Sequence, residues 1–372
     1  MVCLVGNYAA DQWHSMDRFA RMMLQGLSSE GVAVRLVRPK PRLGLIQAGP
    51  FVQKWLGYVD KFIIFPRELR RAASDASLIH ICDHSNAPYV QKNSVPTVIT
   101  CHDLLAVRSG LGEPSDHPPS PAGRILQRWI LRGLRRASAV VCVSDSTRQD
   151  AERLVKARGE TPELHTIHLA IDEYFRVQPI AEARLTLARY PQLDLTQPFV
   201  LHVGSNLRRK NREGVLRIFA RVQERWPGQL VFAGEALTDI LAGQARALGI
   251  ACRIVEIAGP SHEELSALYN CAGVLLYPSR SEGFGWPIVE AQACGCPVLC
   301  SDSGAVAEVA GDGALIHPHE DETAFAHDLL RLLEEPEYQR WRARSLKNAE
   351  RFSAAKMIRR YVELYRSLAP AL

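Results

Sequence analysis

Short apolar runs alternate with amphipathic stretches along almost the whole chain, and the two have different periods. Runs near 2–6, 32–37, 77–82, 97–101, 139–144 and 164–169 are almost continuously apolar, as strands buried on both faces of a parallel sheet are. Between them, stretches near 15–29, 54–74, 122–137 and 145–157 place apolar residues at helical spacing. The alternation breaks around Asp172-Glu173-Tyr174-Phe175, passes through a helical stretch near 180–190 and restarts at 199–204. Strands then follow near 229–233, 253–258, 273–277, 297–301 and 314–317, each separated by a helix, and helices near 320–335, 337–351 and 354–368 close the chain. This pattern predicts an α/β protein of two Rossmann-like halves with parallel sheets.

A length of 372 residues also suggests two domains rather than one core. The hydrophobic fraction of 47% and charged fraction of 23% are those of a soluble globular protein. No apolar stretch reaches the ~20 residues of a membrane span, and Met1 to Gly6 reads as a first strand rather than a signal peptide. Nine cysteines, mostly inside apolar runs, predict reduced thiols and a cytoplasmic setting. Cys294-Gly295-Cys296 lacks the spacing of a zinc site, so no metal is expected there.

The net charge of +5 is unevenly spread: residues 1–180 carry 23 Lys/Arg against 17 Asp/Glu, and residues 181–372 carry 22 against 23. That excess is too small to predict nucleic-acid binding. Within the basic half, Arg124, Arg128, Arg132, Arg135 and Arg136 punctuate an apolar helix. One reading is contact with an anionic membrane or a diphosphate-lipid acceptor, which would make the protein peripheral on the inner face of the plasma membrane. In the other, Ile125, Leu126, Trp129, Ile130 and Leu134 form a core face.

The chemistry concentrates at S-E-G-F-G-W-P-I-V-E, residues 281–290, which follows the strand-like run ending at Tyr277-Pro278. It sets Glu282 and Glu290 at the carboxyl end of a strand and in the first turns of the next helix, where open α/β sheets bind ligands. Gly283 and Gly285 bare backbone N–H groups, the helix N-terminus favours phosphate, and Pro287 suits the first helical position. The same residues also read as a glycine-rich turn bearing solvated acids.

Three segments together resemble a known family: E-x7-E with A-Q-A-C-G-C-P-V and S-D-S-G-A-V-A-E-V behind it, V-G-S-N-L-R-R-K-N at 203–211, and V-I-T-C-H-D-L at 98–104. They resemble the retaining, nucleotide-sugar-dependent glycosyltransferases of family 4 (glycosyl transferases group 1), close to mannosyltransferase-like members with an R-K-N loop. The resemblance implies the GT-B architecture, two Rossmann-like domains facing across a cleft. The expected divisions are an acceptor-side domain over 1–178, a nucleotide-sugar domain over 179–352, and a helix over 353–372 returning to the first domain.

It further implies that Gly204, Ser205, Arg209 and Lys210 form the phosphate loop, the last two stabilising the leaving diphosphate. Glu290 would bind the ribose hydroxyls and Glu282 the donor sugar. Gly283, Phe284, Gly285 and Trp286 would grip sugar and phosphate through backbone N–H groups, and the Gly259-Pro260-Ser261 loop would bear on base choice. His102 would meet the donor sugar, or else be satisfied by a backbone carbonyl. Asp103 would orient His102, meet an acceptor hydroxyl, or cap a helix.

The absence of D-x-D implies a metal-independent enzyme without a cofactor, using a nucleotide diphosphate-sugar as co-substrate and a glycan or lipid-linked acceptor in surface polysaccharide synthesis. The transferred group would be a hexose, with mannose favoured. Two departures stand out: residues 7–16 lack the glycine-rich loop of many relatives, and Ser205 stands where many carry Arg. The alternatives are a nucleotide-sugar 2-epimerase of the same fold and a non-catalytic GT-B scaffold.

Overall fold

The computed structural model describes residues 1–11, 14–46, 49–90, 95–115, 118–155 and 162–372. Gln12 and Trp13 of the first loop, and the last two residues of the helix expected near 145–157, lie outside these. The chain forms two compact units, Met1–Leu169 with Ala354–Leu372, and Ala170–Ser353.

The first unit runs β1 (Val2–Val5), α1 (His14–Ser29), β2 (Val34–Val37), α2 (Pro50–Val59), α3 (Phe65–Ala72), β3 (Leu78–Ile81), β4 (Thr97–Cys101), α4 (Leu105–Gly110), α5 (Pro121–Leu134), β5 (Ala139–Cys142), α6 (Asp145–Val155) and β6 (Glu163–Thr166). Its six strands are parallel in the order β2-β1-β3-β4-β5-β6. The four inner strands are buried throughout, which is why they read as continuous apolar runs; β2 and β6 lie at the edges and stay partly exposed.

The second unit runs α7 (Ile180–Leu187), β7 (Val200–Gly204), α8 (Arg212–Val222), β8 (Leu230–Gly234), α9 (Asp239–Ala247), β9 (Ile254–Ala258), α10 (His262–Cys271), β10 (Val274–Tyr277), α11 (Trp286–Ala293), β11 (Val298–Ser301), α12 (Ala305–Ala310), β12 (Ala314–His317), α13 (Glu322–Leu332) and α14 (Glu335–Ala349). Its sheet, also parallel, is ordered β12-β11-β10-β7-β8-β9. In both sheets the chain starts on an inner strand and builds outward in both directions. Each sheet therefore has a switch point, between β1 and β3 in one and between β7 and β10 in the other, where loops diverge and a crevice opens.

Three boundaries differ from the sequence expectation. Residues 170–178 belong to the second unit because their backbone is tied there: Ile171 N donates to Phe352 O at 2.9 Å, Gln178 N to Asn270 Oδ1 at 3.0 Å, and Ser266 Oγ to Tyr174 O at 2.8 Å. The helix expected over 54–74 is interrupted by a π-helical turn, Asp60–Ile64. There the buried Asp60 carboxylate accepts from the N–H groups of Arg42, Leu43 and Gly44 and from Tyr8 Oη, at 2.9–3.0 Å. Strand β6 ends at Thr166, where its pairing with β5 ends.

The last helix, α15 (Ala354–Leu368), packs on α1 in the first unit. Contact is close because Gly26 has no side chain; a Cβ there would stand 2.4 Å from Ile358 Cγ1. Two tyrosines then tie α15 to the sheet: Tyr361 Oη lies 2.8 Å from Thr100 Oγ1, and Tyr365 Oη 2.6 Å from His80 Nδ1. The other ring nitrogen of His80 reaches Thr100 Oγ1 at 2.8 Å, closing a buried polar network.

Gly26→Leu should destabilise the protein by about 1–3 kcal/mol through overpacking, and Ile358→Ala in the same chain should recover part of the loss, measured by urea denaturation. A second prediction concerns acid. Burial, with His102 adding to it, lowers the pKa of His80 to about 3; burial likewise lowers that of His202 on β7 to about 3. The unfolded chain protonates these residues near their ordinary value of ~6.5, so stability is full above that pH and declines as pH falls toward about 3. Denaturation midpoints should therefore drop steadily below pH ~6.5, and replacing either histidine by glutamine should flatten the slope.

Candidate functional site

The switch point of the second unit gathers the residues that matter. Strand β7 ends in Gly204-Ser205-Asn206, followed by a 3-10 turn Arg208–Lys210 and then α8. Its neighbour β10 ends at Tyr277 and leads through Pro278–Gly285 into α11. The two loops are bound together by Asn211, which adopts φ 53° and ψ 40°. Asparagine tolerates this left-handed conformation better than other non-glycine residues. From it, Asn211 Nδ2 donates to Pro278 O at 3.0 Å, and Arg280 N donates to Arg209 O at 2.7 Å beside it.

Between the loops lies a buried ion cluster. Lys210 Nζ is 2.6 Å from Glu282 Oε1 and donates to Tyr277 Oη at 2.7 Å. Tyr277 Oη in turn donates to Glu282 Oε1 at 2.9 Å, and the Arg209 guanidinium pairs with Oε2. Arg209 Nη1 also donates to Ser281 O at 3.2 Å. Burial alone would raise the Glu282 pKa, but Lys210 and Arg209 outweigh it and hold the carboxyl down at about 2. Burial pulls the Lys210 ammonium below its ordinary value, with Glu282 opposing. Two cations thus share one carboxylate, leaving a net positive charge where the strands end. Removing the Glu282 carboxylate would leave the buried Lys210 ammonium without its counter-charge, at a cost of about 3–5 kcal/mol.

The cluster has capacity to spare. An ammonium has three donors, and Tyr277 and Glu282 take two of those of Lys210. The Arg209 side chain stays 30% exposed. Gly204 gives the Lys210 chain passage, since a Cβ there would lie 3.3 Å from Lys210 Cδ. Arg212, buried behind the loop, donates to Asn206 Oδ1 at 2.7 Å and to Gly204 O at 2.5 Å, and so holds the backbone around Ser205.

Glu290 has a different partner. It is buried one turn into α11, and its Oε2 accepts from Tyr269 Oη at 3.1 Å. The two glutamates therefore serve different neighbours and do not form an acid–base dyad. Gly285 caps α11 with φ 104°, which favours glycine, and Pro287 occupies the second helical position rather than the first. Phe284 and Trp286 spend their side chains elsewhere: Phe284 packs edge-on against Phe352, and Trp286 Nε1 donates to Ala170 O at 3.2 Å. Pro260 follows the edge strand β9, and Ser261 beside it forms a capping box with Glu264 that starts α10.

In the first unit, His102 follows β4 and is buried, with the Phe19 ring edge-on at 5.2 Å. Its Nε2 lies 2.9 Å from Cys82 O. A carbonyl only accepts, so Nε2 carries the proton and Nδ1 keeps its lone pair. Burial lowers the His102 pKa, with Asp83 opposing, so the ring is neutral near pH ~7. The Cys82 carbonyl, not Asp103, orients this ring. Asp103 Oδ1 accepts from Leu105 N at 3.1 Å, one residue ahead of Leu104, the N-cap position of α4. Across the β1/β3 switch point, buried Asp83 accepts from Asn7 Nδ2 at 2.6 Å, and Asn86 Nδ2 donates to Asn7 Oδ1 at 2.9 Å.

Tyr277, Asn211 and Arg212 escaped sequence reading. Tyr277 ends an apolar strand and looks like core; the asparagine closing R-K-N carried a signal only through its tolerance of positive φ. Among the described residues, no group of three or more His, Cys, Asp or Glu is placed to hold a metal ion.

Two family patterns divide the chain between them: Glycosyltransferase Family 4 over residues 16–174 and Glycosyl transferases group 1 over residues 186–351. The O-antigen chain mannosyltransferase B of Escherichia coli is 29% identical over 281 residues, 73% of this chain and 70% of that protein. The D-inositol 3-phosphate glycosyltransferase 1 of Catenulispora acidiphila is 30% identical over 331 residues, 82% of this chain and 75% of that protein. Among solved structures, sucrose-phosphate synthase from Thermosynechococcus elongatus superposes with a TM-score of 0.75 at 22% identity, covering 100% of this chain and 99% of that one. Anabaena HepE, solved in complex with UDP, gives 0.72 at 16% identity, covering 99% and 100%. With both halves matched and the Catenulispora relative aligned over 75% of its length, the chain belongs to the group 1 glycosyltransferases and has their two-domain GT-B fold.

Proposed function

We propose that this glycosyltransferase moves a hexose, mannose in first place, from a nucleoside diphosphate-sugar to a glycan or lipid-linked acceptor, with retention at the anomeric carbon and without a metal ion. One observation carries the reading: the Lys210–Glu282–Arg209 cluster, with Tyr277 in it, at the switch point of the second sheet. When the bond from the sugar C1 to the β-phosphate oxygen breaks, negative charge gathers on the diphosphate. The spare donor of Lys210 and the exposed side of Arg209 are built-in counter-charges for it, the service a bound cation would otherwise give. The likeness to a mannosyltransferase of O-antigen chains supports both the sugar and a surface-polysaccharide acceptor.

Glu282 acts as a positioning residue for both cations and presents the remaining lone pairs of its carboxylate to the sugar hydroxyls. With both oxygens held in charge-assisted hydrogen bonds, it is poorly suited to attack C1. Glu290, kept in place by Tyr269, takes the ribose hydroxyls. His102 offers its Nδ1 lone pair to a hydroxyl of the reacting sugar. The acceptor oxygen then bonds to C1 on the face the diphosphate leaves, and its proton passes to the departing phosphate oxygen. No covalent enzyme adduct is formed.

Three outcomes test this. Lys210→Ala should lower kcat by about 100- to 1000-fold, as removal of one donor to developing charge does. Glu282→Gln should lower kcat comparably while leaving no trapped sugar on the protein, read by intact-protein mass spectrometry; an adduct on Glu282 in the wild type would overturn the positioning role. With GDP-mannose and wild-type protein, NMR of the product should show the donor's α configuration, and activity should survive exhaustive chelation. A β product, or activity restored only by Mg²⁺, would contradict the mechanism.

A further inference from the structure

Helix α5 carries Arg124, Arg128 and Arg132 four residues apart, and Pro121–Leu134 contains no acidic residue. All three arginines are exposed, and among the described residues none has an acidic partner. Several other arginines of this unit do find carboxylates: Arg35 with Asp75, Arg108 with Glu113 and Asp150, Arg148 with Asp145 and Glu152. Like charges at this helical spacing repel one another, and nothing described in the unit relieves them.

The same helix turns large apolar side chains outward. Ile125 is 68% exposed and Trp129 42%, although Ile130, Leu131 and Leu134 on the opposite side are core. Trp129 continues into a row of rings, with Phe62 at 5.0 Å, then Tyr58 at 5.9 Å and Trp55 at 5.6 Å from its neighbour. On that side α2 and the π-helical turn expose Val52, Trp55 and Ile63, with Lys54 among them. Exposed tryptophans, aliphatic side chains and unpaired cations on one face match the layered chemistry of a bilayer surface, with apolar groups below and anionic headgroups above. Among the described residues no helix is long and apolar enough to cross a membrane, so such a face would lie on the surface.

We infer that the α2–α5 face of the first unit docks on an anionic lipid bilayer, with Trp55, Ile125 and Trp129 entering the headgroup layer and Arg124, Arg128 and Arg132 pairing with lipid phosphates. The face runs directly into a cavity of about 510 Å³ lined by Tyr8, Asp11, Gln53, Lys54, Tyr58 and Lys61. Lys54 and Tyr58 belong to both; deeper in the cavity Lys61 is paired with Asp11 at 2.9 Å and Tyr8 Oη donates to Asp60, so Lys54 and Tyr58 are the groups a headgroup rising from a docked bilayer would meet. Docking stands apart from the donor chemistry proposed above, since none of its residues belongs to the ion cluster.

The test is co-sedimentation of the full chain with phosphatidylcholine vesicles, with and without about one-third phosphatidylglycerol. The protein should bind the anionic vesicles, release them as salt rises well above about 0.1 M, and ignore the neutral ones. Arg124→Gln/Arg128→Gln/Arg132→Gln should weaken binding on the order of 100-fold. Ile125→Asp should also weaken it, and both variants should keep wild-type transfer to a water-soluble acceptor. Failure of the wild type to bind anionic vesicles, or undiminished binding by the triple variant, would overturn the inference. So would ultracentrifugation showing that this face is instead closed in a homodimer that Ile125→Asp dissociates.

Discussion

A carboxylate buried between two cations is the constraint on which the second unit is organised. Taking Glu282, Lys210 and Arg209 out of water is costly, and the arrangement persists because each charge finds a partner and Tyr277 supplies a further hydrogen bond. That requirement dictates the surroundings. A side chain at Gly204 would crowd the Lys210 methylenes, Asn211 must accept a left-handed backbone, and Arg212 holds the loop from behind. The excess positive charge that results is the basis of the proposed diphosphate grip, which would make stability and function draw on the same residues.

The first unit buries a carboxylate of its own, Asp83, with neutral donors around it. At its switch point a buried aspartate is held by amide and hydroxyl donors, and the neighbouring histidine is kept neutral, with one nitrogen committed and the other available. A neutral imidazole of defined tautomer keeps one lone pair, on Nδ1, able to accept a hydrogen bond.

Much of this was legible in the chain. Strands buried on both faces must be apolar throughout, so β1, β4, β7 and β10 announced themselves, and the loops at their carboxyl ends located Lys210, Glu282 and His102. Partnerships were not legible, because they join residues distant in sequence. Nothing local says that Glu282 faces Lys210 72 positions earlier, or that Tyr277 is more than core. The same limit hides the side-chain partners of Phe284 and Trp286, which are Phe352 and Ala170. The break in the helix after Val59 depends on a buried aspartate whose donors come from another loop.

The most direct test of the cluster as a diphosphate grip compares calorimetric titrations of GDP and of guanosine into the wild type and into Lys210→Met. If Lys210 and its partners hold the phosphates, GDP affinity should fall on the order of 100-fold in the variant while guanosine affinity is unchanged. Equal GDP affinity in the two proteins, with both folded, would contradict the assignment.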